Sequence, residues 1–267
     1  MKRHQTVADL SAIVTGLLIA FNVPVSMPLW MVVLGDILAI VVVKQMFGGI
    51  GMNFVNPALA ARIMLIASFP TEMGKWNAPF SWKTETVTTA SPLNAIKEIY
   101  RSGEITSESF DGLPSLLDMF LGKRAGSLGE VCAIALVIGL VYLLARRVIK
   151  ITIPLAYVGS FAVIMFIAGG FNLEFLAYEI LAGGLLLGAI FMATDYTTSP
   201  INLKGQVIFG IGCGVLTALI RLFGNLPEGV SFAIIIMNIL VPHIENLTTP
   251  KPFGTVKEKK KKEAEAK

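Results

Sequence analysis

The sequence predicts an all-α, polytopic membrane bundle of about eight spans. Three observations predict it. Hydrophobic residues make up 54% of the chain and charged residues only 15%, and mean hydropathy is +0.72, a balance foreign to soluble domains of this size. Apolar runs of roughly 15 to 22 residues recur, and about 20 helical residues cross some 30 Å of hydrocarbon. Finally, the basic residues of the short connections fall on one side when the runs alternate.

The runs cover residues 8 to 22, 28 to 45, 54 to 69, 128 to 147, 152 to 169, 176 to 193, 205 to 222 and 231 to 243. The first follows Lys2, Arg3 and His4 as a secretory signal would, but it lacks a small-residue cleavage site and many spans follow, so it reads as a retained helix. Lys2, Arg3, Lys44, the Arg146, Arg147 and Lys150 cluster, Lys204 and the lysine tail then lie on the cytoplasmic side. Both termini are placed inside, and residues 70 to 127 outside. The expected organisation is membrane helices over 1–69, an extracytoplasmic loop over 70–127, membrane helices over 128–247 and a cytoplasmic lysine-rich tail over 248–267. Trp76 and Trp82 of the loop read as interfacial anchors, and a short amphipathic piece is expected near Pro114 to Leu121.

Two breaker-rich hairpins interrupt the pattern and resemble each other: Gly48 to Pro57 and Ala193 to Pro200. Proline at the first helical position, with Asn56 or Ser199 as cap, leaves helix N-termini with free N–H groups. Such discontinuities in corresponding positions suggest an inverted repeat with a site near its pseudo-symmetry axis. The same architecture serves urea and ammonium channels.

Asp36 sits mid-span, where an ionised carboxylate is costly without a partner or aqueous cavity. It is an ion-pathway candidate, together with the neutral oxygens of Asn56 and Asn238 and with Asp195 in the second hairpin. Glu130, Glu179, Arg221 and Glu228 fall near outer helix ends, where solvated, snorkelling side chains are expected. Cys132 and Cys213 lack the CxxC spacing and the number of thiolates that iron–sulfur ligation needs, so they read as packing residues. No Walker loop, dinucleotide fingerprint or metalloprotease motif occurs, and His4 and His243 stand at opposite ends of the chain. Much of the net charge of +4 lies in the lysine tail, which suits anionic lipid and excludes a nucleic-acid surface.

Several long blocks resemble one family. Asp9 to Leu18, Gly48 to Arg62 (GGIGMNFVNPALAAR), Ser68 to Pro70, Leu121 to Glu130 (LGKRAGSLGE), Gly188 to Pro200 (GAIFMATDYTTSP) and Arg221 to Asn238 (RLFGNLPEGVSFAIIIMN) are similar to the RnfD proteins of Rnf electron-transport complexes. The related NqrB proteins of the sodium-pumping NADH:quinone reductase are the second reading. A urea- or ammonium-type channel without flavin is an alternative of another class, and a scaffold that has lost its flavin is a third. Relative to RnfD, the chain is expected to lack about two helices ahead of Asp9.

The resemblance implies covalent FMN. Family members attach it through its phosphate to threonine in a D-x-x-[ST]-x-A-T-P-L motif, which here reads Glu85 to Leu93 (ETVTTASPL). The acceptor position maps to Ser91, with Thr88, Thr89 and Ala90 as its neighbours; serine replaces threonine and Glu85 replaces aspartate. The resemblance further implies a second, noncovalent flavin such as riboflavin. It implies partners as well: other membrane subunits, a second covalent-flavin subunit, and soluble iron–sulfur and flavin subunits. The chain would be a one-electron relay in an ion-translocating ferredoxin:NAD+ oxidoreductase that moves Na+ or H+ across the cell membrane, and incomplete as an enzyme alone.

Overall fold

The computed structural model describes residues 10–49, 51–77, 88–89, 91–103, 105–224 and 228–250. Each of the eight apolar runs is helical. They form α1 (Ser11–Asn22), α2 (Leu29–Ile37, running on as a π-helix over Leu38–Gln45), α3 (Pro57–Ser68), α7 (Ala133–Ala145), α8 (Thr152–Ala168), α11 (Leu203–Phe223) and α12 (Val230–Thr248). The eighth is the pair α9 (Leu173–Leu181) and α10 (Leu185–Leu187, running on as a π-helix over Gly188–Met192). Helices α11 and α12 are each long and apolar enough to cross a bilayer, α9 and α10 qualify together with a 64° bend, and α1, α3, α7 and α8 are shorter apolar helices. The protein is a polytopic membrane helical bundle.

Between α3 and α7 the described residues form the short α-helices α4 (Pro70–Met73), α5 (Pro92–Ser102) and α6 (Leu116–Leu121), with a 3-10 turn at Ser107–Phe110. A two-stranded antiparallel ladder, β1 (Trp76–Asn77) with β2 (Thr88–Thr89), accompanies them, with Trp76 opposite Thr89. The expected amphipathic piece near Pro114 is α6. Helix α5 was not expected, although Ser91 accepting from the Asn94 N–H and Pro92 at the first position make an ordinary helix start.

The tightest packing joins α8 to α11 through glycine. A Cβ on Gly214 would stand 2.0 Å from Ser160 Oγ and 2.6 Å from the Tyr157 carbonyl oxygen. Close backbone approach of this kind drives helix association where no hydrophobic effect operates. One turn away the buried Tyr157 hydroxyl lies 2.7 Å from Thr217 Oγ1.

The two hairpins do resemble each other. Each follows a π-helix, marked by Met46 N–H donating to the Val41 carbonyl (3.0 Å) and Ala193 N–H to that of Gly188 (2.7 Å); π-helical turns recur at functional sites. Asn56 caps α3 as expected, accepting from the N–H groups of Ala58 and Leu59 with Pro57 at the first position. The second hairpin corrects the expectation: α11 begins at Leu203 behind Asn202, not at Pro200. Residues 199 to 202 are held instead by longer-range contacts, such as the Ile201 N–H to Glu245 Oε1 at 3.1 Å.

Candidate functional site

The sixth run is not one straight span. It breaks at Ala182, Gly183 and Gly184, and a break inside hydrocarbon orphans carbonyls at the end of α9 and N–H groups at the start of α10. Charged side chains satisfy both ends. Arg221 Nη1 donates to the Glu179 carbonyl (2.6 Å) and carboxylate (2.7 Å), and Nη2 to the Ala182 carbonyl at 3.2 Å. The Gly184 N–H donates to Glu228 Oε1 at 3.0 Å. Cation at the C-terminus and anion at the N-terminus match the helix dipoles.

Glu228 in turn accepts from Arg62 Nη2, which lies 3.6 Å from Glu130 Oε2. Gly183 (φ +68°) and Gly184 leave room for this assembly, since a Cβ on Gly184 would fall 2.5 Å from Glu228 Oε1 and 2.7 Å from Glu130 Oε2. Arg62, Glu130, Glu179 and Arg221 are each at most 5% exposed. This corrects the expectation of solvated helix ends for Glu130, Glu179, Arg221 and Glu228. The broken helix supplies backbone poles that Arg221 and Glu228 occupy, while Glu179 pairs with Arg221 and Glu130 lies toward Arg62.

Above the break lies the Ser91 region. The ladder pairs Trp76 with Thr89, so the chain arrives at Ser91 beside the tryptophan. Ser91 is half-buried and lines a cavity of about 50 Å³ with Trp76, Arg124, Glu130, Gly183 and Glu228. Trp76 and Glu228 also line an adjoining cavity of about 170 Å³, walled by Ile66, Pro70, Met73 and Phe232 and floored by Arg62. Trp76, read from the sequence as an interfacial anchor, is a cavity wall; Trp82 lies outside the described residues. Arg124, 5% exposed, donates to the carbonyls of Val131 (3.1 Å), Glu130 and Gly183 (3.5 Å), and burial holds its guanidinium below the ordinary arginine range. Thr88 and Thr89 contribute backbone to the ladder, and Ala90 lies outside the described residues.

The ion-pathway candidates divide. In the amide orientation that its neighbours satisfy, Asn238 accepts from the Asn56 N–H (3.1 Å) and donates to the carbonyls of Thr198 (3.1 Å) and Ile234 (3.2 Å). Asn56 Nδ2 donates to the Met192 carbonyl at 3.3 Å. Both hairpins and α12 therefore meet at two amides. Asp195 stays within its own hairpin, accepting from Thr197 Oγ1 (3.0 Å) and Thr198 Oγ1 (3.2 Å). Asp36 belongs to neither assembly: its Oδ1 is buried with no hydrogen-bond partner among the described residues, facing Gly16 of α1. Cys213 is buried, Cys132 half-buried and both are free thiols, and the described residues hold no group of three or more metal-ligating side chains.

The family model for NQR2, RnfD and RnfE matches residues 1–254. The chain belongs to the NQR2, RnfD, RnfE family. Among curated relatives, the D subunit of the Na(+)-translocating ferredoxin:NAD(+) oxidoreductase complex of Acetobacterium woodii is 44% identical over 99% of this chain and 79% of its own length. The D subunit of the proton-translocating ferredoxin:NAD(+) oxidoreductase complex of Clostridium ljungdahlii is 41% identical over 94% of this chain and 76% of its own. The D subunit of the ion-translocating oxidoreductase complex of Stutzerimonas stutzeri is 36% identical, covering 92% and 76%.

Against this NQR2, RnfD, RnfE background, reading the sequence named Asn56 and Asn238, which the structure brings together, and Ser91, which lines a cavity, but it did not single out Arg62 or Arg124. A signal for Arg62 was present: an arginine six residues into the α3 run, with no loop within reach. Arg124 stands in a glycine-rich connection that hydropathy leaves blank.

Proposed function

We propose that this chain is the RnfD-type subunit of a membrane-bound, ion-translocating ferredoxin:NAD+ oxidoreductase complex and carries FMN through a phosphoester on Ser91. The observation that carries the reading is the position of Ser91: a half-buried hydroxyl at the N-terminus of α5, opening on a cavity with a buried arginine and an indole wall. An anionic phosphate suits a helix N-terminus beside a cation. The adjoining apolar cavity behind Trp76 suits a flat aromatic ring. The names of the relatives support the complex, and the serine substitution is chemically conservative because either hydroxyl forms a phosphoester.

Attachment forms one bond, Ser91 Oγ to phosphorus. It breaks the anhydride bond of a flavin dinucleotide donor, releases the nucleotide monophosphate, and passes the hydroxyl proton to a base of the transferase. Bound FMN supplies one-electron chemistry that the side chains cannot. The chain's part is to orient the group and keep water out: Trp76 and Phe232 wall the cavity, while the Arg62–Glu228 pair sets the charge at its floor. The basic connections orient both termini to the cytoplasm and the Ser91 loop to the outside. Ion movement is assigned to the amide junction of Asn56 and Asn238, with Asp36 and Asp195 as further groups on the route. The relatives' names divide between sodium and protons, and neutral amide oxygens suit the first.

The test is peptide mass spectrometry on the chain purified in its complex from native membrane, with in-gel flavin fluorescence. An FMN adduct on the Ser91 peptide, abolished by Ser91→Ala, is expected. An unmodified peptide in a complex whose other covalent-flavin subunit is loaded overturns the reading.

A further inference from the structure

Arg62 and Arg221 each face carboxylates: Arg62 lies against Glu228 and Glu130, and Arg221 bonds Glu179 at 2.7 Å. Arg124 does not. Its hydrogen bonds go to three backbone carbonyls through Nε and Nη2, and no carboxylate among the described residues lies within ion-pair distance of it. Yet it is as buried as the other two, at 5% exposure. A guanidinium buried without a direct ion pair is costly, and carbonyl dipoles, with the through-space attraction of Glu130 and Glu228, offset only part of that. The nearest candidate for an anion is at the cavity it shares with Ser91.

We propose that Arg124 is the counter-ion of the phosphodiester that forms on Ser91. This rests on the reading of Ser91 as the acceptor and adds the residue that recognises the phosphate. Three features of the site agree with a singly charged phosphodiester as the occupant. Nη1 of Arg124 carries no partner among the described residues, so a donor is left for a phosphate oxygen. Ser91 caps α5, whose first N–H groups favour negative charge at the same place. Glu130 and Glu228 attract Arg124 only from beyond hydrogen-bond reach: Glu130 Oε1 accepts from the Ser127 N–H at 3.2 Å with its Oε2 toward Arg62, and Glu228 accepts from Arg62 and the Gly184 N–H, so neither takes up Nη1. The three carbonyl bonds fix the guanidinium plane, so the free edge is held in place before the phosphate arrives. Arg124 is thus a binding and positioning residue for the phosphate and takes no part in electron transfer.

The experiment compares Arg124→Gln and Arg124→Lys with the unaltered chain in the whole complex. Adduct per Ser91 peptide is measured on assembled protein only. Glutamine keeps hydrogen-bonding capacity toward the carbonyls and loses the charge; lysine keeps the charge and loses the planar fork. A counter-ion role predicts that Gln lowers the adduct about tenfold or more and that Lys retains most of it. Equal loss in both variants assigns Arg124 to holding the loop carbonyls and overturns the proposal, as does an undiminished adduct with Gln. Should the Gln variant not assemble, Lys alone decides: adduct kept supports the counter-ion, adduct lost overturns it. An unmodified Ser91 peptide in the unaltered chain is a different failure, that of the acceptor itself, and removes this proposal with it.

Discussion

Two polar assemblies hold the interrupted helices of this bundle, and they are built from opposite materials. At the α9–α10 break, Arg221 and Glu228 put charged side chains on orphaned helix poles, and Arg62, Glu130 and Glu179 surround them with further charges. At the meeting of the two hairpins, Asn56 and Asn238 use neutral amides on N–H and carbonyl groups. A hydrogen-bonded thread joins them, since Arg62 donates to Asn22 Oδ1 and Asn22 Nδ2 reaches Met192 Sδ at 3.7 Å, on the residue whose carbonyl Asn56 holds. The difference teaches where charge is tolerated. Paired opposite charges lock one geometry, and losing one member strands another; an amide pair can exchange partners at small cost.

The sharpest way to break the comparison is Arg221→Ala. It strands the Glu179 carboxylate and the Ala182 carbonyl together, and removing one partner of a buried pair costs about 3–5 kcal/mol. The expected result is near-complete loss of assembled protein from the membrane, with Arg221→Lys recovering only part because a point charge cannot span both carbonyls. Normal accumulation of the alanine variant would show the pole-capping account to be wrong.

Asn56→Ala tests the other side. It removes the acceptor for two helix N–H groups, worth about 1 kcal/mol, and the donor to Met192, worth about another 1 kcal/mol. The protein should assemble, with thermal inactivation at a lower temperature and cation-dependent turnover reduced more than flavin content. If the amide junction were as rigid as the charged one, Asn56→Ala and Arg221→Ala would deplete the membrane alike.

The contrast also explains which parts could be read in the sequence. Hydropathy reports which segments lie in lipid, so all eight helices were legible, and so was the Asn56–Pro57 helix start, whose signal is local. The break at residues 182 to 184 was not, because Gly183 and Gly184 interrupt the run without adding polarity. Depth was not legible either: Glu130 and Glu228 lie near run ends in sequence, and only the approach of α3 and the α6–α7 connection buries them. The Ser91 position followed from resemblance. The buried arginine beside it depends on a cavity formed by elements far apart in the chain, which no local pattern encodes.

The smallest effect belongs to a charge in water, and it supplies the reference for the other two. Asp118 at the start of α6 accepts from Ser115 Oγ at 2.8 Å and lies 3.4 Å from Lys123 Nζ, with both charged side chains well exposed. The Ser115 hydrogen bond first, and Lys123 after it, hold its carboxyl below the usual value of 3.8. A depressed carboxylate stabilises the folded state fully above its unfolded pKa, and the contribution fades as pH falls through the lower, folded value. Amide exchange across residues 116 to 121 should therefore accelerate slightly below pH 3.8, in the unaltered chain but not in Asp118→Asn, and high salt should blunt the difference. Exposure lets water compete for every one of these contacts. If acid loosened α6 as much as Arg221→Ala disrupts the bundle, burial would not be what gives the inner charges their weight.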